Sequence, residues 1–358
     1  MSNGFKNCKN VPQYMYGEGS IAELKNILSK KRQEGSPVVF LVDDFFTDKN
    51  IQNTLPIESE DVLIYISTEH EPKAEYIDEV TDMVKSKVRK GLPSAIVGMG
   101  GGTVMDISKC VSLLLTNPGK AEDYQGWDLV KNPGVYKIGI PTISGTGAEA
   151  SRTGVFTSKR VKLGMNSEYS IFDQIILDPE LLRTVPKEKF IFTIMDCYAH
   201  DVELMNGTDS EITKALASSS LNILREALKD PQNVNHAKLM LSSYLGGCAM
   251  ATASGGHVCH PVSYGLGFVL GHRHGLSVCL AFNALEEYYG GYITEFRDIF
   301  SRFNVELPKG VTKSATEEQL DQMAEATLKN EKPLESAFGK NWREVFTKEK
   351  VKEILKRI

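Results

Sequence analysis

The fold is indicated by the stretch Ala95-Ile96-Val97-Gly98-Met99-Gly100-Gly101-Gly102-Thr103. A short apolar run is typical of a buried strand, and glycines in the turn that follows let backbone N–H groups approach an anion without obstruction by Cβ. The next segment, 103–115, has helical spacing, and a helix N-terminus favours a phosphate. The stretch therefore predicts a strand, a pyrophosphate-binding turn and a helix. Glycines also serve ordinary tight turns, so this pattern alone leaves both interpretations open.

Alternating strand and helix patterns continue on both sides of this stretch. Strands are expected at 38–42, 62–67 and 137–140, and helices at 21–32 and 73–90. The helix at 21–32 is expected to open with a capping box formed by Ser20 and Glu23. This order predicts a doubly wound, Rossmann-like parallel sheet in an α/β domain.

Strand patterns stop after Asp178-Pro179. Long helical spacing then covers 187–205, 210–228, 234–252, 258–270 and 276–288. We therefore expect two domains: a dinucleotide-binding α/β domain over residues 1–180, and an all-α domain for metal and substrate over residues 181–358.

Composition is that of an ordinary soluble protein, with 41% hydrophobic and 24% charged residues among 358. A formal charge of -5 argues against nucleic acid or an anionic membrane as the main partner. Small anionic ligands remain possible. The six cysteines form no C-x2-C pair, the N-terminus has no signal-peptide pattern, and no apolar run approaches the ~20 residues of a membrane helix. A cytoplasmic protein is expected.

Histidines are concentrated in one part of the chain. Six of the seven lie between His200 and His274, and His257, His260 and His272 are among them. Residues four apart share a helix face, so Asp196 and His200 could bind one ion together. Aspartate and histidine ligands suit Fe(II) or Zn(II). The plainer alternative is a surface charge with histidines that fill polar gaps.

Two further features fit a nucleotide. The turn at 141–149 holds several hydroxyls, with Thr142 and Thr146 among them, and such residues also build ordinary turns. Asp43 follows the expected strand at 38–42, where a carboxylate accepts hydrogen bonds from ribose and repels a 2′-phosphate. This favours NAD over NADP. The ribose-binding carboxylate could equally be the neighbouring Asp44. A solvated loop residue is the alternative for Asp43.

Five ordered motifs carry a family resemblance across nearly the whole chain. They are Gly100-Gly101-Gly102-Thr103-x2-Asp106-x2-Lys109, Pro141-Thr142-x2-Gly145-Thr146-Gly147-x-Glu149, Asp178-Pro179, Asp196-x3-His200-x2-Glu203, and His260 with His274-Gly275. Together they resemble the iron-dependent (group III) alcohol dehydrogenases. The resemblance implies a dehydroquinate synthase-like architecture, an NAD-dependent enzyme, and hydride transfer at a divalent metal.

The resemblance also implies roles for single residues. The metal ligands would be Asp196, His200, His260 and His274. Cofactor contacts would come from Asp43, Gly101, Gly102, Thr103, Asp106, Thr142, Thr146 and Lys162, with Asp106 near the nicotinamide. A first-turn carboxylate that complements the helix dipole is the alternative for Asp106.

One position departs from the family. Typical members have a second histidine four residues after the third ligand, where this chain has Tyr264. The histidine that would carry a proton out of the site is therefore missing at this position. Tyr264 would either relay the proton or bind substrate. His257 and His272 fall outside the implied ligand set, and either would orient a ligand, relay a proton or simply lie near a wet cleft. We take Asp106, Tyr264 and His257 as catalytic candidates.

The substrate is suggested by a narrower resemblance. Four segments, 124–128, 145–152, 172–174 and 263–267, resemble members that oxidise C8 of 3-deoxy-D-manno-octulosonate to an aldehyde, which an aminotransferase could then aminate in lipopolysaccharide biosynthesis. Arg152 would bind the carboxylate, with a solvent-exposed basic residue as the alternative, and Trp127 would either cover the sugar or simply pack. A homodimer is expected. Alternatives are another alcohol dehydrogenase or aldehyde reductase of the group, a sugar-phosphate cyclase, whose first ligand is characteristically Glu, or a sensor that binds NAD and metal.

Overall fold

The chain forms two compact units in a computed structural model that describes residues 8–51, 54–88, 91–183, 185–253 and 257–358. The first unit runs to Ile143 and continues from Ala148 to residue 184. The second unit comprises Ser144–Gly147 and Val185–Ile358. The functional assignment of the two predicted domains stays a prediction.

The first unit is built on a parallel sheet. The strands of the described residues are β1 Gln13–Tyr16, β2 Val38–Asp43, β3 Val62–Ile66, β4 Ala95–Gly100, β5 Gly126–Trp127, β6 Lys137–Pro141, β7 Thr153–Thr157, β8 Lys162–Asn166 and β9 Gln174–Leu177. Six of them form one sheet in the order β1-β9-β6-β4-β2-β3, and every pairing in it is parallel. A small second sheet has the order β5-β8-β7.

Helices α1 to α3 belong to the first unit and the others to the second. Their bounds are α1 Leu24–Ser29, α2 Ala74–Lys87, α3 Gly102–Leu114, α4 Lys187–Asn206, α5 Glu211–Ala227, α6 His236–Thr252, α7 Cys259–Leu270, α8 His274–Asn283, α9 Glu286–Tyr289, α10 Gly291–Arg302, α11 Glu317–Leu328, α12 Glu331–Phe338, α13 Trp342–Val345 and α14 Lys348–Leu355. Among the described residues, no helix has the length and apolar character needed to cross a bilayer.

Burial explains why the strand pattern could be recognised. Every residue of β2 and β4 is buried, which is typical of central strands covered on both faces. Their apolar side chains form a core with α1 that includes Leu24, Phe40 and Val97. The predicted parallel α/β sheet followed by helices is confirmed.

Two local predictions are wrong. Ser20 does not cap a helix at 21–32: residues Ser20–Glu23 form a 3-10 turn without a side-chain cap, and α1 is shorter than expected. Asp178 supplies the cap instead, because its carboxylate accepts hydrogen bonds from the amides of Gly19 and Ile21, each at 3.1 Å. The helix expected at 276–288 is interrupted, since α8 ends at Asn283 and α9 starts at Glu286.

Candidate functional site

The glycine-rich turn joins β4 directly to α3. Gly101 is the N-cap of α3 in an extended conformation, and the helix begins at Gly102. The turn is tightly packed, because a Cβ on Gly100 would lie 2.5 Å from Val104 Cγ2 and 3.1 Å from Asp43 Cβ. Gly100 therefore allows the end of β4 and the start of α3 to approach the end of β2, and the free backbone N–H groups at the start of α3 can face an anion.

The predicted nucleotide residues of the first unit lie at one edge of the sheet. β4 pairs with β2 on one side and with β6 on the other, and the chain order reverses between β2 and β4. The carboxyl ends of strands at such a reversal form the usual ligand crevice of an α/β sheet. Asp43 ends β2, Gly101 follows β4, and Thr142, which follows β6, donates its amide to the Gly100 carbonyl at 2.9 Å.

Asp43 is held in a fixed position. Its side chain is nearly buried, and its Oδ1 accepts hydrogen bonds from the Phe45 amide at 3.0 Å and from Thr68 Oγ1 at 3.2 Å. Asp44 is exposed, and its Oδ1 also accepts a hydrogen bond from Thr68 Oγ1, at 3.1 Å. Asp43, the buried one of these two aspartates, is therefore the one at the end of β2, where the sequence predicts a hydrogen bond to ribose.

A cluster of charges lies along α3. Lys109 is fully buried, and its ammonium donates to the carbonyl oxygens of Ser151 and Thr153, at 2.9 and 2.8 Å. Burial raises the pKa of Asp106, one turn earlier, against the opposing charge of Lys109. Lys162 forms an ion pair with Glu71. The ammonium of Lys162 is thus engaged by a carboxylate within the first unit.

The two predicted substrate residues contact each other. The Arg152 guanidinium lies 5.8 Å from the centre of the Trp127 ring and pairs with Asp128. The Arg152 side chain is 21% exposed, whereas that of Asp128 is 65% exposed. Lys109 binds the carbonyls on both sides of Arg152, so the backbone that presents this guanidinium is fixed.

The second glycine turn is divided between the units. Residues Ser144–Gly147, with Thr146 among them, belong to the helical unit. The Gly145 amide donates to Ser243 Oγ at 2.9 Å, and a Cβ on Gly147 would lie 2.5 Å from the Gly247 Cα. This turn is therefore anchored on α6 through contacts that require glycine.

Four predicted ligands converge in the helical unit. Asp196 and His200 lie one turn apart on α4, His260 near the start of α7, and His274 at the start of α8. One ligand atom from each residue lies within 4.8 Å of all the others. The α7–α8 turn uses Gly271 in the left-handed conformation, and Gly275 allows α8 to approach the Phe192 carbonyl of α4 closely.

The donor geometry fits one metal ion. The Nε2 atoms of His200, His260 and His274 lie 3.4, 3.3 and 3.6 Å from an Asp196 oxygen. Ligand atoms about 2.1 Å from one ion in a tetrahedron lie about 3.4 Å apart, so these separations match a shared ion. Asp196 is completely buried, and its Oδ2 accepts no hydrogen bond within the described chain. A cation would satisfy that oxygen.

Charges at the cluster support cation binding. Burial opposes ionisation of Asp196, yet the surrounding imidazoles hold its pKa below the ordinary value. Burial lowers the pKa of His200 to about 4, which keeps its ring in the neutral form that binds metals. Burial also acts to lower the pKa of His260, but Glu203 and Asp196 raise it to about 10. A cation at His260 would therefore displace a proton.

The remaining sequence candidates fall into two groups. The half-buried Tyr264 lies beside the cluster, with its ring centre 5.7 Å from that of His274 and 6.3 Å from that of His260. His257 and His272 are not among the four clustered ligands. The Nδ1 of His257 lies 3.1 Å from the Tyr289 hydroxyl.

Glu203 was missed as a functional candidate, and Tyr289 is one of its structural partners. Glu203, on α4 with Asp196 and His200, hydrogen-bonds to Nδ1 of His260, and Tyr289 donates to Glu203 at 3.2 Å. Positions 196, 200 and 203 have the spacing of one helix face, which is the signal that could have identified Glu203. Nothing in the sequence around Tyr289 indicates its partner.

Comparison with known proteins finds related sequences. The sequence model of the family described as iron-containing alcohol dehydrogenase matches residues 12–179. Sulfoacetaldehyde reductase of Bilophila wadsworthia is 30% identical over 287 residues, which cover 76% of this chain and 72% of that protein. NAD-dependent methanol dehydrogenase of Bacillus methanolicus is 26% identical, with coverage of 74% and 71%.

Solved structures agree in fold. The alcohol dehydrogenase from Oenococcus oeni superposes with a TM-score of 0.83 at 22% identity, over 98% of this chain and 99% of that one. Sulfoacetaldehyde reductase from Bifidobacterium kashiwanohense, solved in complex with NAD+, gives 0.78 at 20% identity over 99% and 98%. The family fold, the matched sequence and the ligand cluster point the same way, and the chain belongs to the iron-containing alcohol dehydrogenase family.

Proposed function

We propose that this chain interconverts a primary alcohol and an aldehyde with NAD at a single divalent metal, Fe(II) or Zn(II). As a family member it is an oxidoreductase of the alcohol dehydrogenase type. The observation that carries the proposal is the convergence of Asp196, His200, His260 and His274 within 4.8 Å. A buried carboxylate facing three imidazoles is costly without a cation and favourable with one.

Different residues would hold the metal and the cofactor. When bound, a divalent cation supplies Lewis-acid polarisation of a substrate oxygen, and NAD supplies the hydride acceptor. Asp196, His200, His260 and His274 would hold the ion. Gly101, Gly102 and Thr103 would offer backbone N–H groups to the pyrophosphate.

The other proposed cofactor contacts set its identity and position. Asp43 would accept the ribose hydroxyls and disfavour NADP. Thr142, Thr146, Asp106 and Lys162 would line the remaining cofactor surface. The Lys162–Glu71 pair is buried on the lysine side, so Lys162 would act from a fixed position.

For the substrate we favour an acidic sugar. The narrower motif resemblance implies the 8-oxidase reaction on 3-deoxy-D-manno-octulosonate, in the cytoplasm, before an aminotransferase step in lipopolysaccharide biosynthesis, by a homodimer. Arg152 and Trp127 support an anionic polyol, because they contact each other and present a guanidinium beside an aromatic face. The substrate carboxylate would compete with the exposed Asp128 for Arg152.

A small sulfonated aldehyde is the second candidate. The relative at 30% identity is a sulfoacetaldehyde reductase, and a sulfonate would use the same guanidinium. The curated relatives named above are a sulfoacetaldehyde reductase and a methanol dehydrogenase, and neither name includes a sugar acid, so the eight-carbon substrate rests on the motifs of this sequence.

A cofactor-linked screen tests the proposal. The metal-loaded protein is mixed with NAD and a panel of sugar acids and simple alcohols, and separately with NADH and sulfoacetaldehyde, and absorbance at the NADH band is followed. Turnover of the eight-carbon acid above the other compounds supports the first candidate, and preferential NADH consumption with sulfoacetaldehyde supports the second. A cyclase would give no net NADH and a sensor no turnover at all. Equal use of NADP would contradict the role of Asp43.

Tyr264→Phe tests the position that departs from the family. We propose that the phenol hydrogen-bonds a substrate hydroxyl beside His260 and His274. Loss of that bond should cost about 1–2 kcal/mol, seen mainly as a raised KM with kcat nearly unchanged in steady-state kinetics. Tyr169→Phe, at an exposed tyrosine of the first unit, is the control and should change neither parameter. A fall in kcat of roughly 10²-fold at constant KM would instead make Tyr264 a proton relay.

A further inference from the structure

Four hydrogen-bonding groups surround the carboxylate of Glu203, beside the four proposed metal ligands. Its Oε1 accepts the Cys259 amide at 2.6 Å, the His260 amide at 3.4 Å and the Tyr289 hydroxyl at 3.2 Å. Its Oε2 contacts Nδ1 of His260. The side chain is 1% exposed, so these protein groups replace water entirely.

Two of these donors are the first amides of α7. Val258, the N-cap of α7, provides no side-chain cap, and helix N-termini leave their first amides without intrahelical partners. Glu203 on α4 accepts from the amides of Cys259 and His260 in place of a local cap. The negative carboxylate also complements the positive end of the helix dipole.

The fourth donor is a ring nitrogen of a proposed metal ligand. With Nδ1–H of His260 donated to Glu203, Nε2 is the nitrogen left to bind a cation once that cation displaces its proton, and it is Nε2 that lies 3.3 Å from Asp196 Oδ1. A carboxylate behind a metal-binding histidine fixes its tautomer and ring orientation and makes it a better ligand.

Tyr289 and His257 complete the arrangement. The Tyr289 hydroxyl donates to Glu203 and accepts from the Val258 amide at 3.3 Å, while Nδ1 of His257 lies 3.1 Å from the same oxygen. His257 therefore lies two hydrogen bonds away from Glu203 and three from His260. This gives His257 a supporting position and not a place among the metal ligands.

We infer that Glu203 is a positioning residue, which sets the place of α7 and the tautomer and orientation of His260 so that its Nε2 faces the metal. The inference rests on the proposed metal site. Glu203→Gln keeps the shape of the side chain but replaces one of its two acceptor oxygens with an NH2 group. That NH2 group then faces donors that it cannot accept from. We expect Zn2+ affinity, measured by competition with a chromophoric chelator, to fall about 10 to 100-fold.

Tyr289→Phe is the matched control. It removes one donor to Glu203 and leaves the contact between Glu203 and His260 in place, so Zn2+ affinity should stay within about threefold of the unaltered protein. Co2+ provides a second readout, because its visible bands report ligand orientation. These bands should shift in Glu203→Gln and stay in place in Tyr289→Phe. If Glu203→Gln does not fold, Glu203→Asp replaces it, since the carboxylate then retreats by one methylene from His260 and the same loss is expected.

Three outcomes are decisive. Weaker Zn2+ binding with shifted Co2+ bands supports the inference. A lower melting temperature of the metal-free Glu203→Gln protein with unchanged Zn2+ affinity and Co2+ bands would reduce Glu203 to a helix cap and overturn it. Failure of the unaltered protein to bind either ion would refute the metal site itself, and with it the inference.

Discussion

Replacing His260 or His274 with alanine should remove the bound metal and lower kcat by about 10³-fold or more, because Lewis-acid polarisation is worth several kcal/mol. Each histidine supplies one of the four atoms that lie within 4.8 Å of one another. A metal site that lacks one of its four ligands binds the ion more weakly, and the ion is then lost to the solvent. Metal content by elemental analysis and steady-state kinetics on the same samples measure both effects.

His272→Ala is the control for these two variants. It changes a histidine of the same segment that lies outside the four-residue cluster. It should therefore retain full metal content. Stoichiometric metal with near-normal turnover in His260→Ala or His274→Ala would show that the ligand assignment is wrong. Circular dichroism should show the secondary structure unchanged in all three variants, since none removes an apolar side chain of the core.

Gly147→Ala should lower the free energy of unfolding by about 3 kcal/mol or more, the sum of left-handed strain and overpacking. Gly147 has φ +62°, and an added Cβ would lie 2.5 Å from the Cα and 2.7 Å from the N of Gly247. Backbone atoms on α6 cannot rotate away as a side chain would. Urea denaturation measures the change.

Gly271→Ala separates the two causes. Gly271 has φ +71°, close to that of Gly147, but an added Cβ there would meet nothing within 4 Å. Its substitution should cost only the conformational part, about 1–2 kcal/mol. If both variants lost the same stability, the close packing of the 144–147 turn against α6 would not contribute.

The sequence predicted those parts of the molecule that depend on local pattern. Fully buried strands such as β2 and β4 appear as continuous apolar runs, and the glycine turn after β4 marks the start of α3. Spacing on α4 and the density of histidines indicated a metal site with Asp196 and His200, whereas His260 and His274 were assigned through the family resemblance. The short strands β1, β5, β7, β8 and β9 were missed, because their sequences contain Gln, Gly, Lys or Asn and so show no continuous apolar run across the strand.

Other features depend on tertiary contacts that no local pattern contains. The cap at Gly19 comes from Asp178, 159 positions away, so the nearby Ser20 and Glu23 were misleading. The partnership of Tyr289 with Glu203 joins residues 86 positions apart. The sequence could place Glu203 on a helix face but could not show which groups surround it.

The 144–147 turn limits how the chain can be dissected. A single cut near residue 184 would leave this segment on the N-terminal fragment, although its Gly145 amide bonds Ser243 and Gly147 fits against Gly247 in the helical unit. A C-terminal fragment made that way would expose a slot on α6, with the Ser243 hydroxyl no longer receiving its donor. Exchanging the helical unit between relatives would therefore require these four residues, which lie in the middle of the first unit's sequence, to be exchanged with it.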